Sequence, residues 1–486
     1  MSIQTPNWVK NAVFYQIFPD RFAKVQPPKD AQYQFQTVAF EPWEDPPTLQ
    51  GYKGGNLWGV IEKLDYLQEL GVTALYLNPI FQSACNHRYH PHDYYRVDPI
   101  LGGNEALEAL LQAAHQRHIK VILDGVFNHA SRGFFYFNDI LENGPYSPWL
   151  DWFKVFDWPV SAYNGDFPAN YAGWVGNRAL PEFNHENPDV REYVMQVGEY
   201  WIRQGIDGWR LDVPYEIDVP GFWKEFRERV KHINPEAYIV GEVWEDAQYW
   251  LDGNQFDGVM NYVFTGPTIA FTARDRVDRS LVEQPAYKPY PAQDASNYAE
   301  HIEMLLDLYP WEIQLAQLNL LASHDTARLL SIAQRDRASV KLATLLLLTF
   351  PGAPCIYYGD EVGLPGKLDP DSRRSFPPKE KWDEELWQWH QDLIRLRHSY
   401  PALRTGDYKI LHAQGLVYVF ARSLAASELI IAVNSGTENA SVDVPTDKLQ
   451  SQPRRLLYGE AELQWDSNRN TLSLQLPPRQ GCVIGN

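Results

Sequence analysis

An arginine and an aspartate stand two residues apart in the stretch GWRLDV, which begins at position 208 and otherwise has the composition of a buried strand. Because side chains alternate between the faces of a strand, Arg210 and Asp212 are predicted to share one face. Trp209, Leu211 and Val213 are predicted to share the other face. Burying opposite charges is costly unless they are paired well or used in chemistry. This stretch alone leaves open a structural ion pair and a catalytic pair.

Polar residues also end four other short apolar runs of the chain. They are Asp124, Asn128 and His129 in one run, Glu242 in another, His324 and Asp325 in a third, and Asp360 and Glu361 in a fourth. In a parallel barrel of strands and helices, the active site lies at the carboxyl ends of the strands. Asp212, Glu242 and Asp325 would then converge over one mouth. Two carboxyl groups about 5 to 5.5 Å apart, a nucleophile and an acid/base, form the apparatus of a retaining glycosidase.

The elements that must position these residues follow from the hydrophobic pattern. Eight short apolar runs begin at Ala12, Ala74, Ile119, Ile206, Ala237, Phe256, Leu318 and Pro354. Helical patterns between them begin at Asn56, Asn104 and Asn187, and Asn187 is a predicted N-cap with Pro188 at the first helical position. Strand–helix alternation repeated eight times predicts an α/β fold, a (β/α)8 TIM barrel.

The chain divides into three predicted parts. Residues 1–129 and 183–402 form the expected catalytic barrel. Residues 130–182 are rich in Trp, Tyr, Pro and Gly and too long for a loop, which predicts a small subdomain B inserted after strand 3. Residues 403–486 carry alternating apolar runs typical of a C-terminal antiparallel β-sandwich. The helix-poor stretch 283–298 predicts a long surface excursion.

The composition of the chain argues against two classes of partner. The net charge of −19 disfavours nucleic acid and anionic membranes and favours a neutral or cationic ligand. The 17 Trp and 28 Tyr suit sugar binding, or an aromatic core. Three distant cysteines, no visible secretory signal and no apolar run long enough to span a bilayer predict a cytoplasmic protein.

Four segments of the chain resemble the conserved regions of the α-amylase family, in the expected order. They are DGVFNH, GWRLDVPYE, GEVW and LASHDT, and NHRYHPHDYYRVDP and LPEFN match further family segments. The resemblance covers nearly the whole chain. It implies that Asp212 is the nucleophile, Glu242 the general acid/base and Asp325 the transition-state stabiliser.

The same resemblance implies how neighbouring residues assist these acids. Arg210 would lower the pKa of Asp212 and hold it ionised, because a nearby cation favours the carboxylate. Tyr89 would stack on the sugar at the cleavage point, and His129 and His324 would bond its hydroxyls.

Within the family, LPEFN, VMNY and PGAPCIYYGDEVGLPG look most like the neopullulanase and cyclomaltodextrinase group, whose members cut α-1,4 and often α-1,6 links. By this likeness Asp369 and Arg373 would contact the first sugar, and Trp244 would line the acceptor side. Asp124 of DGVFNH joins the same substrate-binding set. Val213 follows the nucleophile, as in many members that act on α-1,6 links.

The sequence also departs from that group. Typical members carry a separate N-terminal domain, whereas the first predicted strand here begins near Ala12. We therefore expect that domain to be absent, as in a cyanobacterial-type glucan debranching enzyme, and expect any homodimer to form without it. Glu216 stands where the family has a calcium-binding histidine, and the loop FPDRFAKVQPPKD lacks the dense Asp/Asn pattern of calcium ligands. Asn128 remains, but one ligand makes no site, so we expect no metal and no cofactor.

These observations predict a retaining hydrolase of α-glucans that cleaves α-1,6 branch links and the α-1,4 links of maltooligosaccharides. A 4-α-glucanotransferase or a trehalose-forming isomerase of the same family would share every catalytic residue. A non-catalytic carbohydrate-binding subunit is the alternative of another class, disfavoured because all three acids are present. The ratio of linkages cut, the preferred chain length and exo or endo action stay open.

Overall fold

A closed barrel of eight parallel strands forms the centre of the molecule. The computed structural model describes residues 3–26, 38–288, 290, 292–445, 449, 455–466 and 470–485. Each barrel strand pairs with the next one along the chain, and the eighth pairs with the first. The strands are Phe14–Ile17, Ala74–Leu77, Lys120–Gly125, Gly208–Leu211, Tyr238–Gly241, Gly258–Asn261, Leu318–Leu320 and Ala353–Tyr357. All eight predicted runs form strands, so the TIM-barrel prediction is confirmed.

Helices connect the strands. The α-helices are Asn7–Asn11, Pro19–Phe22, Leu57–Glu62, Leu64–Leu70, Gly103–Gln116, Phe135–Asn143, Pro188–Arg203, Phe222–Ile233, Tyr262–Thr272, Ala295–Leu308, Trp311–Gln314, Leu329–Ile332, Arg337–Thr349, Glu384–Ser399 and Pro401–Thr405. Asn187 caps its helix as predicted, because its side chain accepts from the backbone N–H of Asp189. The helical pattern that begins at Asn56 forms two short helices with Lys63 between them.

Alternation along the fourth strand sorts its side chains into two environments. Trp209 points outward and donates its indole N–H to the carbonyl of Gly198 on the helix Pro188–Arg203, at 3.2 Å. Arg210 points into the barrel and is fully buried. The prediction that Val213 shares the outer face is wrong. The strand ends at Leu211, and Val213 adopts a left-handed backbone with φ of 36°, which turns its side chain toward the cleft.

The insertion between the third strand and the helix Pro188–Arg203 packs around its own aromatic core. Phe134, Phe137, Phe153, Tyr171 and Phe183 form a continuous set of edge-on and stacked ring contacts. Isolated backbone bridges join residues 153 to 183, 155 to 171, 173 to 181 and 129 to 182. The last bridge ties the insertion directly to the end of the third strand, so this part of the chain is held over the mouth of the barrel.

The C-terminal part consists of two antiparallel sheets, as predicted. One sheet has the strand order Asp407–Gln414, Val417–Leu424, Ser427–Asn434, Gln480–Gly485 and Arg455–Gly459. The other has the order Ala440–Pro445, Thr471–Leu476 and Glu462–Asp466. Val419, Ile430, Val444 and Leu474 are buried in one apolar cluster between the sheets.

A separate two-stranded hairpin, Phe81–Ser83 with Pro91–Val97, follows the second barrel strand.

The predicted surface excursion over 283–298 is wrong for much of its length. Ala286 and Tyr287 are buried, and a helix begins at Ala295. The chain packs against the helix Tyr262–Thr272 because Gly266 has no side chain there: a Cβ on it would lie 2.5 Å from the carbonyl oxygen of Ala286. Residues 289 and 291 lie outside the described residues.

Within the described ranges, no helix has both the length and the apolar character needed to cross a membrane.

Candidate active site

A cleft of about 940 Å³ opens where the barrel strands end. That volume lies near the upper end of the range of ligand pockets, about 300 to 1,000 Å³. Nine of the predicted site residues line it: Tyr89, His129, Asp212, Glu242, Trp244, His324, Asp325, Asp369 and Arg373. The other two, Asp124 and Arg210, are buried beneath them and bonded to them. The structure thus brings all eleven predicted residues together.

Arg210 connects three carboxylates below the cleft. Its Nη1 donates to Asp124 Oδ1 at 2.8 Å and to Asp212 Oδ1 at 2.9 Å. Its Nη2 lies 3.0 Å from Glu242 Oε1, an ion pair without a well-directed N–H. Asp124 and Arg210 are partners in the register of neighbouring strands, which sets the first of these contacts. Asp212 and Glu242 therefore contact the two terminal nitrogens of one guanidinium.

One guanidinium does not compensate three buried carboxylates. Burial raises the pKa of Asp124 to about 6, and the charge of Arg210 opposes that rise. Burial likewise raises the pKa of Asp212 well above its ordinary value, with Arg210 again opposing and Glu242 adding to the rise. The expectation that Arg210 lowers the pKa of Asp212 overall is therefore wrong, because loss of solvation outweighs the ion pair.

Glu242 is held by two further donors. The indole Nε1–H of Trp244 donates to Oε1 at 3.1 Å, and the backbone N–H of Val213 donates to Oε2 at 3.1 Å. The ring of Trp244 stacks on Tyr262 with centroids 4.0 Å apart. The left-handed backbone of Val213 is strained for a β-branched residue, and such strain concentrates at functional sites. It aims the N–H at the neighbouring strand's carboxylate.

A buried network fixes the tautomer of His324. Its Nδ1 lies 3.0 Å from the amide nitrogen of Gln16 and 3.1 Å from that of Asn78, both donors, so Nδ1 accepts and the proton is on Nε2. Nε2 lies 2.7 Å from the hydroxyl of Tyr89, which in turn donates to Asp124 Oδ2 at 2.9 Å. Burial lowers the pKa of His324 well below its ordinary value, so the ring is neutral.

Sequence reasoning missed Gln16 and Asn78. The available signal was weak: each is the polar residue near the end of an apolar run, FYQIFP and LYLNPIF, in the same way as the acids of the later strands.

Asp325 has a second arginine as its partner. Arg373 Nη2 donates to Asp325 Oδ1 at 3.3 Å, and its Nη1 lies 3.1 Å from Asp369 Oδ1. Arg373 Nε also donates to the carbonyl of His324 at 3.0 Å. Burial raises the pKa of Asp325, and Arg373 opposes the rise. About a third of the Asp325 side chain is exposed, so it faces the cleft.

The insertion adds Trp174 to the cleft. Its ring stacks on His129 with centroids 5.5 Å apart. Both nitrogens of His129 already have protein partners: Nε2 donates to the carbonyl of Tyr89 at 3.2 Å, and Nδ1 lies 3.4 Å from the amide of Asn128. A sugar hydroxyl must replace one of these contacts to reach His129. Sequence reasoning missed Trp174, for which the aromatic richness of the insertion was the signal.

Two features bear on the expected absence of calcium. Glu216 is exposed at the position of the family's calcium ligand. Asp20, in the loop FPDRFAKVQPPKD, accepts from Arg21 at 2.6 Å and from the backbone N–H groups of Lys53 and Gly54. This acid therefore anchors the loop. The loop's last residues, 27–30, lie outside the described residues.

The fold and this cleft define the class of protein. The family described as "Alpha amylase, catalytic domain" matches residues 16–395, and "Alpha-amylase C-terminal domain" matches residues 406–484. The chain belongs to the α-amylase family.

Individual proteins of this family are similar to the chain over most of its length. The chain is 40% identical over 483 residues to a cyclomaltodextrinase from Geobacillus thermopakistaniensis, covering 98% of this chain and 77% of the relative. It is 40% identical to neopullulanase 2 of Thermoactinomyces vulgaris, covering 99% and 79%. Among solved structures, the debranching enzyme from Nostoc punctiforme is 64% identical with a TM-score of 0.94, covering 100% of both chains.

Proposed function

We propose that the chain is a retaining hydrolase of α-glucans that cleaves α-1,6 branch links as well as α-1,4 links of maltooligosaccharides and pullulan. The observation that carries the reaction class is the pair of carboxylates, Asp212 and Glu242, bonded to one buried arginine in the wall of a sugar-sized cleft. Two carboxyl groups held by one guanidinium in a cleft suit the paired nucleophile and acid/base of a retaining glycosidase.

The first step breaks the glycosidic bond. An Asp212 carboxylate oxygen attacks the anomeric carbon while Glu242 donates its proton to the glycosidic oxygen, and the leaving chain departs as an alcohol. In the second step Glu242 takes a proton from water, the resulting oxygen nucleophile attacks the same carbon, and Asp212 leaves as a carboxylate.

The surrounding residues hold the sugar. Asp325 lines the same cleft and stabilises the positive charge that develops on the ring. His324 and Tyr89 line the cleft, and their contact with each other must give way before either can bond a sugar hydroxyl. Asp369 and Arg373 contact other hydroxyls of that sugar. Trp244 offers an aromatic surface on the acceptor side. Asp124 keeps Tyr89 and Arg210 in place from below.

The α-1,6 preference rests on two observations. The debranching enzyme from Nostoc punctiforme matches the full length of the chain at 64% identity. A hydrolase of cyclic α-maltosyl-(1→6)-maltose from Arthrobacter globiformis also matches, at 35% identity and a TM-score of 0.86 over 99% of this chain. Val213, which follows the nucleophile, agrees with this preference. We place the catalytic barrel at residues 1–129 and 183–402, subdomain B at 130–182 and the C-terminal domain at 403–486.

We further propose a cytoplasmic location, since a relative at 36% identity is an intracellular maltogenic amylase of Bacillus subtilis.

Product analysis on four substrates tests the proposal. Branched maltooligosaccharides, linear maltooligosaccharides, pullulan and β-cyclodextrin are compared by kcat/KM, with chromatography of the products. We expect linear chains from the branched substrate and a higher kcat/KM for it than for the ring. A preference for the ring with no debranching would overturn the linkage assignment. Products longer than the linear substrate would indicate transfer in place of hydrolysis.

A further inference from the structure

Three potential metal ligands lie together on one wall of the cleft. Cys85, His87 and His90 belong to a single segment, and each offers a ligand atom within 4.8 Å of the other two. All three line the cleft that holds the carboxylates. We propose that they form a binding site for a divalent cation of the Zn²⁺ class, and that its occupation inhibits the enzyme.

The geometry suits a tetrahedral ion. The Sγ of Cys85 lies 3.5 Å from Nδ1 of His87. A zinc ion with a Zn–S bond of about 2.3 Å and a Zn–N bond of about 2.0 Å, at a tetrahedral angle, separates its sulfur and nitrogen ligands by roughly 3.5 Å. The rings of His87 and His90 are 5.1 Å apart and nearly perpendicular, so their nitrogens converge without stacking. Thiolate and imidazole are the ligand types that zinc prefers.

The imidazoles and the thiol differ in what they need before they can bind a cation. Burial lowers the pKa of His87 well below its ordinary value and that of His90 to about 4, so both imidazoles are neutral and free to coordinate. Burial raises the pKa of the Cys85 thiol, while hydrogen bonds from Ser83 and from the backbone at His90 and Arg88 oppose this rise. Metal binding displaces the thiol proton, which makes binding stronger as pH rises.

Metal binding would replace contacts that the ligand residues make with neighbouring groups. Nδ1 of His87 accepts from the backbone N–H of Tyr89 at 3.2 Å, and a cation bound at Nδ1 replaces this bond. The nearby charges of Arg88 and Arg373 are compensated, the first by Asp98 at 3.0 Å and the second by the acids of the cleft. Binding therefore replaces this hydrogen bond and the contact of Ser83 Oγ with Cys85 Sγ at 3.3 Å, and it removes the thiol proton.

The location explains why occupation inhibits. Tyr89 lies in the chain between the two histidines, and its hydroxyl bonds Asp124 and His324. A metal that draws His87 and His90 together shifts the backbone of Tyr89 and its ring with it. The three protein ligands leave the fourth position open to the cleft, where water or a sugar hydroxyl completes the shell. Substrate and metal therefore compete for the same wall.

Cobalt provides a direct probe of the site. Co²⁺ added to the purified, metal-free protein should give a thiolate-to-cobalt band in the near ultraviolet and visible bands of tetrahedral cobalt, saturating at one equivalent, and Zn²⁺ should abolish them. Cys85→Ser should lose the thiolate band, and His90→Gln should weaken binding at least tenfold. His92→Gln, two positions along the same segment, and Cys482→Ser, in the β-sandwich, are matched controls that should bind as wild type does.

Metal binding and inhibition by Zn²⁺ are tested by separate measurements. The inhibition arm rests on the proposed hydrolase function: each variant is assayed with and without Zn²⁺ and normalised to its own zinc-free rate. Half-maximal inhibition should need at least tenfold more Zn²⁺ in Cys85→Ser and in Cys85→Ala. Absence of the cobalt bands in folded wild type, checked by its melting curve, would overturn the site. Unchanged cobalt bands or unchanged inhibition in folded Cys85 variants would overturn it equally.

Discussion

Trp244 donates its indole N–H to Glu242 Oε1 at 3.1 Å while its ring stacks on Tyr262 at 4.0 Å. On the proposed function, one side chain therefore both lines the acceptor side of the cleft and orients the acid/base carboxyl. The stack on Tyr262 fixes the plane of the indole ring, and this orientation directs the N–H toward Glu242. This coupling links the contact with the leaving sugar to the position of the group that must protonate it.

Trp244→Phe separates these two roles, because phenylalanine keeps the stack on Tyr262 and loses the donor. A hydrogen bond to a charged group contributes about 1.5 to 3 kcal/mol, which corresponds to a loss of roughly 10- to 100-fold in kcat on a glucan. An aryl maltoside with a good leaving group needs less protonation and should lose less. Steady-state kinetics on both substrates measure this, with Trp250→Phe as control. Equal losses on both would show that Trp244 acts by packing alone.

Asp212→Asn should remove at least about a thousandfold of activity, because the amide is no nucleophile. The amide oxygen still accepts from Arg210, so the fold and sugar affinity should persist. Calorimetric titration with a maltooligosaccharide and a melting curve check both points. Asp218→Asn, at an exposed position six residues on, should behave as wild type. Retention of more than a tenth of the activity in Asp212→Asn would exclude this residue as the nucleophile.

The barrel and its acids could be predicted from the sequence because their signals are local. A short apolar run that ends in a polar residue marks both a strand and its carboxyl end, as at Asp212, Glu242 and Asp325. Contacts between distant runs leave no such mark. Gln16 and Asn78 reach His324 across separations of 308 and 246 residues, and only the closed barrel brings them together.

Two errors have physical causes that a pattern does not contain. Period-two alternation assigned Val213 to the outer face, but the strand had already ended and φ of 36° reverses the direction. The pKa of Asp212 depends on how completely the fold removes water, which exceeds the effect of the arginine that is visible in the sequence.

The pH dependence of stability should contain a contribution from Glu361. This buried carboxyl accepts from the hydroxyls of Tyr15 and Tyr66 at 2.7 Å each, yet burial raises its pKa from 4.5 to about 7. Between these values the unfolded chain has released the proton and the folded chain keeps it. Rising pH therefore destabilises the fold across this window, by up to about 3 kcal/mol in total.

Glu361→Gln removes that titration. The melting temperature of the variant relative to wild type should rise steadily from pH 4.5 to 7.5, whatever the offset at low pH. Exposed Glu300→Gln should show a constant difference across the same range. If the melting temperatures of Glu361→Gln and wild type differ by a constant amount across this pH range, the raised pKa of Glu361 is refuted.

Activity should survive removal of calcium. The carboxylate oxygens of Asp20 already accept hydrogen bonds from Arg21 and from the backbone N–H groups of Lys53 and Gly54. Glu216 stands where the family has a histidine. Excess EDTA should change neither kcat nor the melting temperature. A fall of more than about 5 °C that added Ca²⁺ restores would contradict this. Relief of inhibition by EDTA in an untreated preparation would instead agree with a zinc site at Cys85.

Trp174 is expected to bind chain sugars that extend from the cleavage point toward the insertion. Its ring stacks on His129 and lines the cleft, and it comes from a short turn in which Val175 is exposed and left-handed, with φ of 45°. Stacking of this kind contributes about 0.5 to 1.5 kcal/mol, so Trp174→Ala should raise KM for long branched glucans by about 2- to 12-fold. On a short aryl maltoside the KM should change little, and Trp174→Phe should recover most of the loss. Because the substitution removes a binding surface and leaves Asp212 and Glu242 untouched, kcat should stay near wild type on both substrates. A drop in kcat with unchanged KM would mean that Trp174 acts through His129 on the reacting sugar and does not contact the chain beyond it.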